Sequence, residues 1–274
     1  MFEYVLPLLI GVVIIAYIFG KPFYVEYQRN QIKKLPFPEP WRKIIKRRIP
    51  YFKQMPADLQ LQLKKHIQVF IAEKQFAGYE GIQINDDIKV TVAAQACLLL
   101  LNRKTDYYPK LNTIVLYPGA FIKNQTATDQ AGVHSEHSTV MLGESWDFGK
   151  VILSWQHTVE GAIEPNDGAN VVIHEFAHQL DQENGTANGA PILGKDGNYQ
   201  CWSSVFDREY QQLKQQTHHD EPSLLDSYGA TNPAEFFAVA SEVFFEQSKL
   251  LFDQHRSLYL QLKSYYQVDP VNWH

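Results

Sequence analysis

Val171-Val172-Ile173-His174-Glu175-Phe176-Ala177-His178-Gln179-Leu180-Asp181 is the stretch from which the rest of the chain is read. Residues four apart share one face of an α-helix, so His174 and His178 can aim both imidazoles at one point. Two convergent imidazoles make a ligand pair for a divalent metal, zinc above all. Glu175 follows the first ligand and stands beside that point, where it can take a proton from a water. Zinc lowers the pKa of such a water to about 7 and polarises a carbonyl oxygen, so the segment reads as the core of a zinc peptidase. The apolar residues of 169–173, with Phe176, Ala177 and Leu180, supply a flank to bury. A solvent-exposed helix carrying two histidines by chance would lack that flank.

Two imidazoles leave a catalytic zinc one protein ligand short, with a further position for water. A nearby third ligand would give HExxHxxGxxH, but Asp181 stands where that glycine belongs and Asn184 where the histidine belongs. The ligand must come from elsewhere, and 231–246 is the apparent supplier. Asn232 suits an N-cap, Pro233 the first helical position, and Glu235 the third. Glu235 and Glu242 are seven apart and share one face of a strongly apolar helix, where a charge needs a partner such as a metal. Glu235 also suits a capping box, and the residues alone do not choose between the two acids. Asp181, three residues after His178, is placed either to orient a ligand imidazole or to end the helix as a solvated acid.

The pentad and its tail, His174 to Asp181, together with 226–242 (Asp-Ser-Tyr-Gly-Ala-Thr-Asn-Pro-Ala-Glu-Phe-Phe-Ala-Val-Ala-Ser-Glu), closely resemble the Mlc titration factor A family of zinc peptidases. The likeness runs from about Trp41 to Pro270, through Tyr117-Pro118, Gly143-Glu144-Ser145-Trp146 and 151–155. The resemblance implies that Glu235 is the third ligand of one zinc ion per chain and that Tyr228 sits by the metal. It implies an α+β, zincin-like domain of the gluzincin type, with one helix for the histidines and a later helix for the glutamate. It also implies aminopeptidase-like cleavage of short peptides, and binding of a transcriptional repressor of the Mlc type. The expected partners are therefore a peptide or protein substrate and such a repressor.

A phenol beside zinc can hydrogen-bond a developing oxyanion, which makes Tyr228 a catalytic candidate next to Glu175; a buried tyrosine with a bonded hydroxyl is the plainer role.

The net charge of −5 hides an asymmetry. Residues 21–53 hold ten Lys/Arg and two acids, while the remainder holds 15 basic and 28 acidic residues. An acidic body of that kind argues against direct nucleic-acid binding. The two cysteines, Cys97 in an apolar run and Cys201, imply no disulfide framework and have no metal-ligand spacing.

Residues 4–19 carry no charge. As a helix they span roughly 24 Å, slightly short of a hydrocarbon core of about 30 Å. With Met1, Phe2 and the aromatics at 23–24 they are expected to form one transmembrane helix, with Tyr4 and Tyr17 at the interfaces. A cleaved signal peptide fits poorly, lacking a basic start and a small-x-small site. The sequence therefore divides into an anchor at 1–20, a basic juxtamembrane linker at 21–50 and a peptidase domain at 51–274. The basic side should remain in the cytoplasm, placing the chain at a bacterial inner membrane with a single pass and the catalytic domain inside.

Along the body, a helix is expected to open within 55–59, with a turn and short strand at 78–84, a buried helix at 88–101 and a strand at 113–117. Hairpin strands are expected at 132–146 with a bend at 143–146, then a strand at 151–155 just before the metal helix. The latter strand, or the hairpin before it, is expected to be the sheet edge that binds extended substrate. His134 and His137, three apart on a strand, would face opposite sides, and His218-His219 would lie in a solvated loop.

Overall fold

The computed structural model describes residues 2–128, 134–141, 143–146, 149–194 and 197–273, without the side chains of 2–9, 12, 13, 15, 16, 121–128, 134–141 and 144–146. It divides into two units, Met1–Phe37 and Pro38–His274. The first unit is one continuous helix, α1 (Phe2–Lys34), which joins the apolar run to the basic residues without a break at 20. Among the described residues no helix is long and apolar enough to cross a membrane. The expected anchor therefore has no support here; most side chains of 4–16, on which it rests, lie outside the described residues.

The second unit is a mixed helix and sheet body. It begins with α2 (Glu39–Arg48) and α3 (Ala57–Glu73), then β1 (Gln75–Gly78), the buried α4 (Asp86–Leu98) and β2 (Thr113–Tyr117). The hairpin β3 (Phe121–Thr128) and β4 (His134–Met141) follows, then β5 (Gly143–Trp146) and β6 (Lys150–Ser154). Strands β1, β2 and β6 run parallel in the order β1-β2-β6-β5, and β5 joins β6 antiparallel as an edge. The all-buried Ile114, Val115 and Leu116 of β2 suit a strand covered on both faces.

Three expectations need correction. The strand near 78 ends there: a tight turn follows, closed by Ile82 N–H donating to the Tyr79 carbonyl at 3.1 Å. Residues 143–146 form the edge strand rather than a bend, because they pair with 150–153. Strand β6 is interior, and α5 (Trp155–Ile163) separates it from the metal helix. The side chains of His134 and His137 lie outside the described residues.

The segment with His174 and His178 is α6 (Val171–Asp181), capped by Asn170, whose side chain accepts from Val172 and Ile173 N–H. Helix α7 (Tyr199–His218) overturns part of the loop expected around 215–221: His218 is helical and only His219 lies in the turn that follows. Helix α8 (Pro233–Glu246) starts at Asn232, which accepts from Ala234 and Glu235 N–H. Side-chain capping removes the ambiguity in where a helix begins and so fixes the phase of every residue after it. Helix α8 is buried nearly all round, which suits its apolar content. Helices α9 (Ser248–Gln254) and α10 (Arg256–Tyr266) complete the wall behind it.

Phe237 anchors that wall. Its ring lies 5.7 Å from Tyr265, 5.9 Å from Trp202 and 6.4 Å from Tyr266, with no exposed surface. Phe237→Ala is expected to cost about 3–5 kcal/mol of unfolding free energy. Urea denaturation checks this, and a loss under about 1 kcal/mol would contradict the packing described.

Candidate metal centre

Helices α6 and α8 meet at a cluster of imidazoles and carboxylates. His174 Nε2 lies 3.0 Å from Glu235 Oε2, and His178 Nε2 lies 3.2 Å from the same oxygen. The two Nε2 atoms are 3.2 Å apart. Three ligand-capable atoms at these spacings match the ~3.3 Å edge of a tetrahedron built on zinc–ligand bonds of about 2.0–2.2 Å. The donor set of two imidazoles and one carboxylate therefore fits a divalent metal such as zinc.

One imidazole is gripped at both ends by the same helix. His174 Nδ1 donates to Glu242 Oε1 at 2.8 Å, while its Nε2 faces Glu235. Glu242 Oε2 also accepts the Asn170 backbone N–H at 2.5 Å. A carboxylate fixed at both oxygens leaves the ring little freedom to rotate, and it commits the Nδ1 proton to one side.

The electrostatics follow from crowding. Burial pushes His174 down, but the Glu242 charge and the hydrogen bonds to Glu235 and Glu242 carry it well above its ordinary value. Burial likewise pushes Glu235 up, yet its hydrogen bonds to His174 and His178 bring it down to about 2. Glu235 is thus ionised at neutral pH and gives the cluster a negative charge. Glu242 is raised by burial, against the opposing pull of His174.

Tyr228 sits in a short 3-10 turn (Ser227–Ala230) capped by Asp226, which accepts the Tyr228 N–H at 2.7 Å. Its ring lies 5.9 Å from the His174 ring and is half exposed, at the open side of the cluster. Burial, then the charges of Glu235 and Glu175, push its hydroxyl up to about 12. The phenol therefore keeps its proton at neutral pH.

Asp181 faces a loop. Its Oδ2 accepts from Asn188 N–H at 2.8 Å and Gly189 N–H at 2.7 Å. Gly189 has φ +76°, and a Cβ there would meet the Pro233 carbonyl oxygen at 2.4 Å. Asp181 thereby pins that loop against the first residue of α8. Its Oδ1 and the Nδ1 of His178 are buried and make no hydrogen bond among the described residues.

Glu175 is buried on the α6 face that meets β5. A Cβ built on Gly143 would stand 2.6 Å from Glu175 Oε1 and 2.7 Å from Val171 Cγ2. Only a glycine lets the edge strand come this close. Sequence reasoning missed this role of Gly143, although a glycine opening a strand signals close approach. It also missed Asn170, a strong capping residue directly before the apolar start of the metal helix.

Comparison with known proteins agrees with this chemistry. The glucose-regulated metallo-peptidase M90 family matches residues 24–267. The chain belongs to this family. An uncharacterised protein of Synechocystis sp. is 42% identical over 268 residues, 97% of each chain. Mlc titration factor A of Enterobacter sp. is 26% identical over 235 residues, 85% of this chain and 87% of its own. The same protein of Escherichia fergusonii matches to the same extent. Membership in a metallo-peptidase family implies a bound metal, which the His174, His178 and Glu235 donor set is suited to hold.

Gly143→Ala forces either β5 or the Glu175 carboxylate to move, and is expected to cost about 1–3 kcal/mol. Thermal unfolding checks it, and an unchanged Tm would contradict the close approach.

Proposed function

We propose that the chain is a zinc-dependent peptidase of the gluzincin type, in which His174, His178 and Glu235 hold one zinc ion and Glu175 handles the proton. The observation that carries this reading is the convergence of the three donor atoms within 4.8 Å of one another. When bound, zinc polarises a carbonyl oxygen and lowers the pKa of a water it touches to about 7. The Glu175 carboxylate takes the proton of the attacking water and delivers it to the leaving amine nitrogen. The Tyr228 hydroxyl donates a hydrogen bond to the oxyanion that develops as the carbonyl carbon becomes tetrahedral. Glu242 holds His174 by Nδ1, so that the Nε2 lone pair keeps its direction. Asp181 supports the centre indirectly, by fixing the loop that backs the start of α8.

Strand β5, at the sheet edge and against α6, supplies main-chain groups that can pair with an extended peptide. Aminopeptidase-like cleavage of short peptides is the activity the family resemblance favours.

The name of the Mlc titration factor A relatives supports a second reading, in which the chain sequesters a repressor of the Mlc type and peptide hydrolysis is secondary. Placement at a bacterial inner membrane, with the catalytic domain facing the cytoplasm, rests on the apolar run of 4–19 and the basic residues after it. Carbonate-resistant sedimentation of the full chain with membranes tests that placement, and release by carbonate would end it.

Glu175→Gln is expected to retain stoichiometric zinc while peptide hydrolysis falls by about 10²–10⁴. Persistent repressor binding in that variant would separate the two functions. Zinc-loaded wild type that leaves a diverse peptide library uncut would sink the enzyme reading. Glu242→Gln is expected to weaken zinc binding about 10–100-fold. Chelator competition measures this, and unchanged affinity would remove Glu242 from the site.

A further inference from the structure

Asn170 ties four helices together behind the metal centre. Its Oδ1 accepts the Val172 and Ile173 N–H groups at 3.1 and 3.0 Å. Its Nδ2 faces Gln95 Oε1 on α4 at 2.8 Å, the Gly161 carbonyl on α5 at 3.0 Å and Glu246 Oε1 on α8 at 2.8 Å. The Asn170 backbone N–H reaches Glu242 Oε2, whose partner oxygen holds His174.

The network is specified, not accidental. Gln95 Nε2 donates to the Thr91 and Thr158 carbonyls at 3.1 and 3.3 Å, so its Oε1 must be the atom offered to Asn170. The Asn170 amide is thereby oriented, its oxygen toward the helix start and its two Nδ2 hydrogens shared among three oxygens. Asn170, Gln95, Glu242 and Glu246 are all buried, where hydrogen bonds in a low dielectric hold firmly what they join; Glu246 Oε2 makes none among the described residues. Burial holds the Glu246 carboxyl well above the ordinary carboxylate range, so it meets the amide as a neutral acceptor.

We propose that Asn170 is a positioning residue for the metal centre. Its backbone N–H sets Glu242 and through it the orientation of His174; its side chain holds α6 and α8 at the spacing that brings Glu235 to both histidines. This rests on the metal role of those three residues. A capping role alone makes a different prediction, because Ser and Asp cap helices as well as Asn does. Neither offers the Nδ2 donor.

The test measures zinc dissociation constants by chelator competition on the full chain, with the cobalt(II) absorption spectrum as a second readout. Asn170→Ser is expected to weaken zinc about tenfold or more and to shift the cobalt bands, with helix content retained. Asn170→Asp removes both Nδ2 hydrogens and leaves the Gln95 and Gly161 oxygens facing an acceptor, with only the Glu246 proton to share, and should weaken zinc at least as much. Adding Glu246→Gln supplies an amide N–H from the other side and should recover most of that loss. Folded Ser and Asp variants that bind zinc within about twofold of wild type, with unshifted cobalt bands, overturn the proposal. So does a double variant that recovers nothing. If the Ser variant does not fold, the Asp variant and its double decide. A wild type that takes up no zinc overturns the metal reading beneath it, a result distinct from variants matching a zinc-binding wild type.

Discussion

The bond between Glu242 and His174 is the constraint on which the centre depends. It joins the helix that carries both histidines to the helix that carries Glu235, and its carboxylate is buried. A buried carboxylate is costly unless it is paired and hydrogen-bonded, and Glu242 meets both conditions. One oxygen takes the imidazole and the other takes the amide that begins the same helix. Turning His174 away would leave the buried Glu242 Oε1 and the Nδ1 donor without partners, a penalty of about 1–3 kcal/mol for each group. The ring is therefore oriented before any ligand arrives.

Everything around that bond serves to hold two helices in fixed phase. Asn170 and Asn232 set where each helix begins, and the aromatic wall around Phe237 fixes how α8 packs. Gly189 and Gly143 permit close approaches at the start of α8 and beside Glu175. Preorganisation of this kind shifts the cost of ordering from the moment of binding to folding. The half-exposed Tyr228 leaves one side of the cluster accessible.

Local chemistry was the legible part of the sequence. The pentad placed both histidines on one face, and the Asn-Pro-Ala-Glu segment announced its own cap and first turn. The strand at 113–117 and the buried helix expected at 88–101 follow from apolar patterning, although the helix spans Asp86–Leu98 and 99–101 are turn. The residues alone left Glu235 and Glu242 unresolved, and the geometry shows why: both reach His174, one at each nitrogen. Strand order was not legible, since a short apolar run such as 151–154 reads alike at an edge or in the middle of a sheet. Long-range roles were hidden for the same reason. Nothing local to Asn170 or Gly143 records that Glu246 or Glu175 will lie against them.

The central claim is that two imidazoles and the Glu235 carboxylate share one divalent cation. Zinc uptake by the full chain, wild type against Glu235→Ala, tests it most directly. The account predicts one zinc per wild-type chain, bound at least about a hundredfold more weakly when the carboxylate is removed. Equal zinc affinity in the folded Glu235→Ala protein would contradict it.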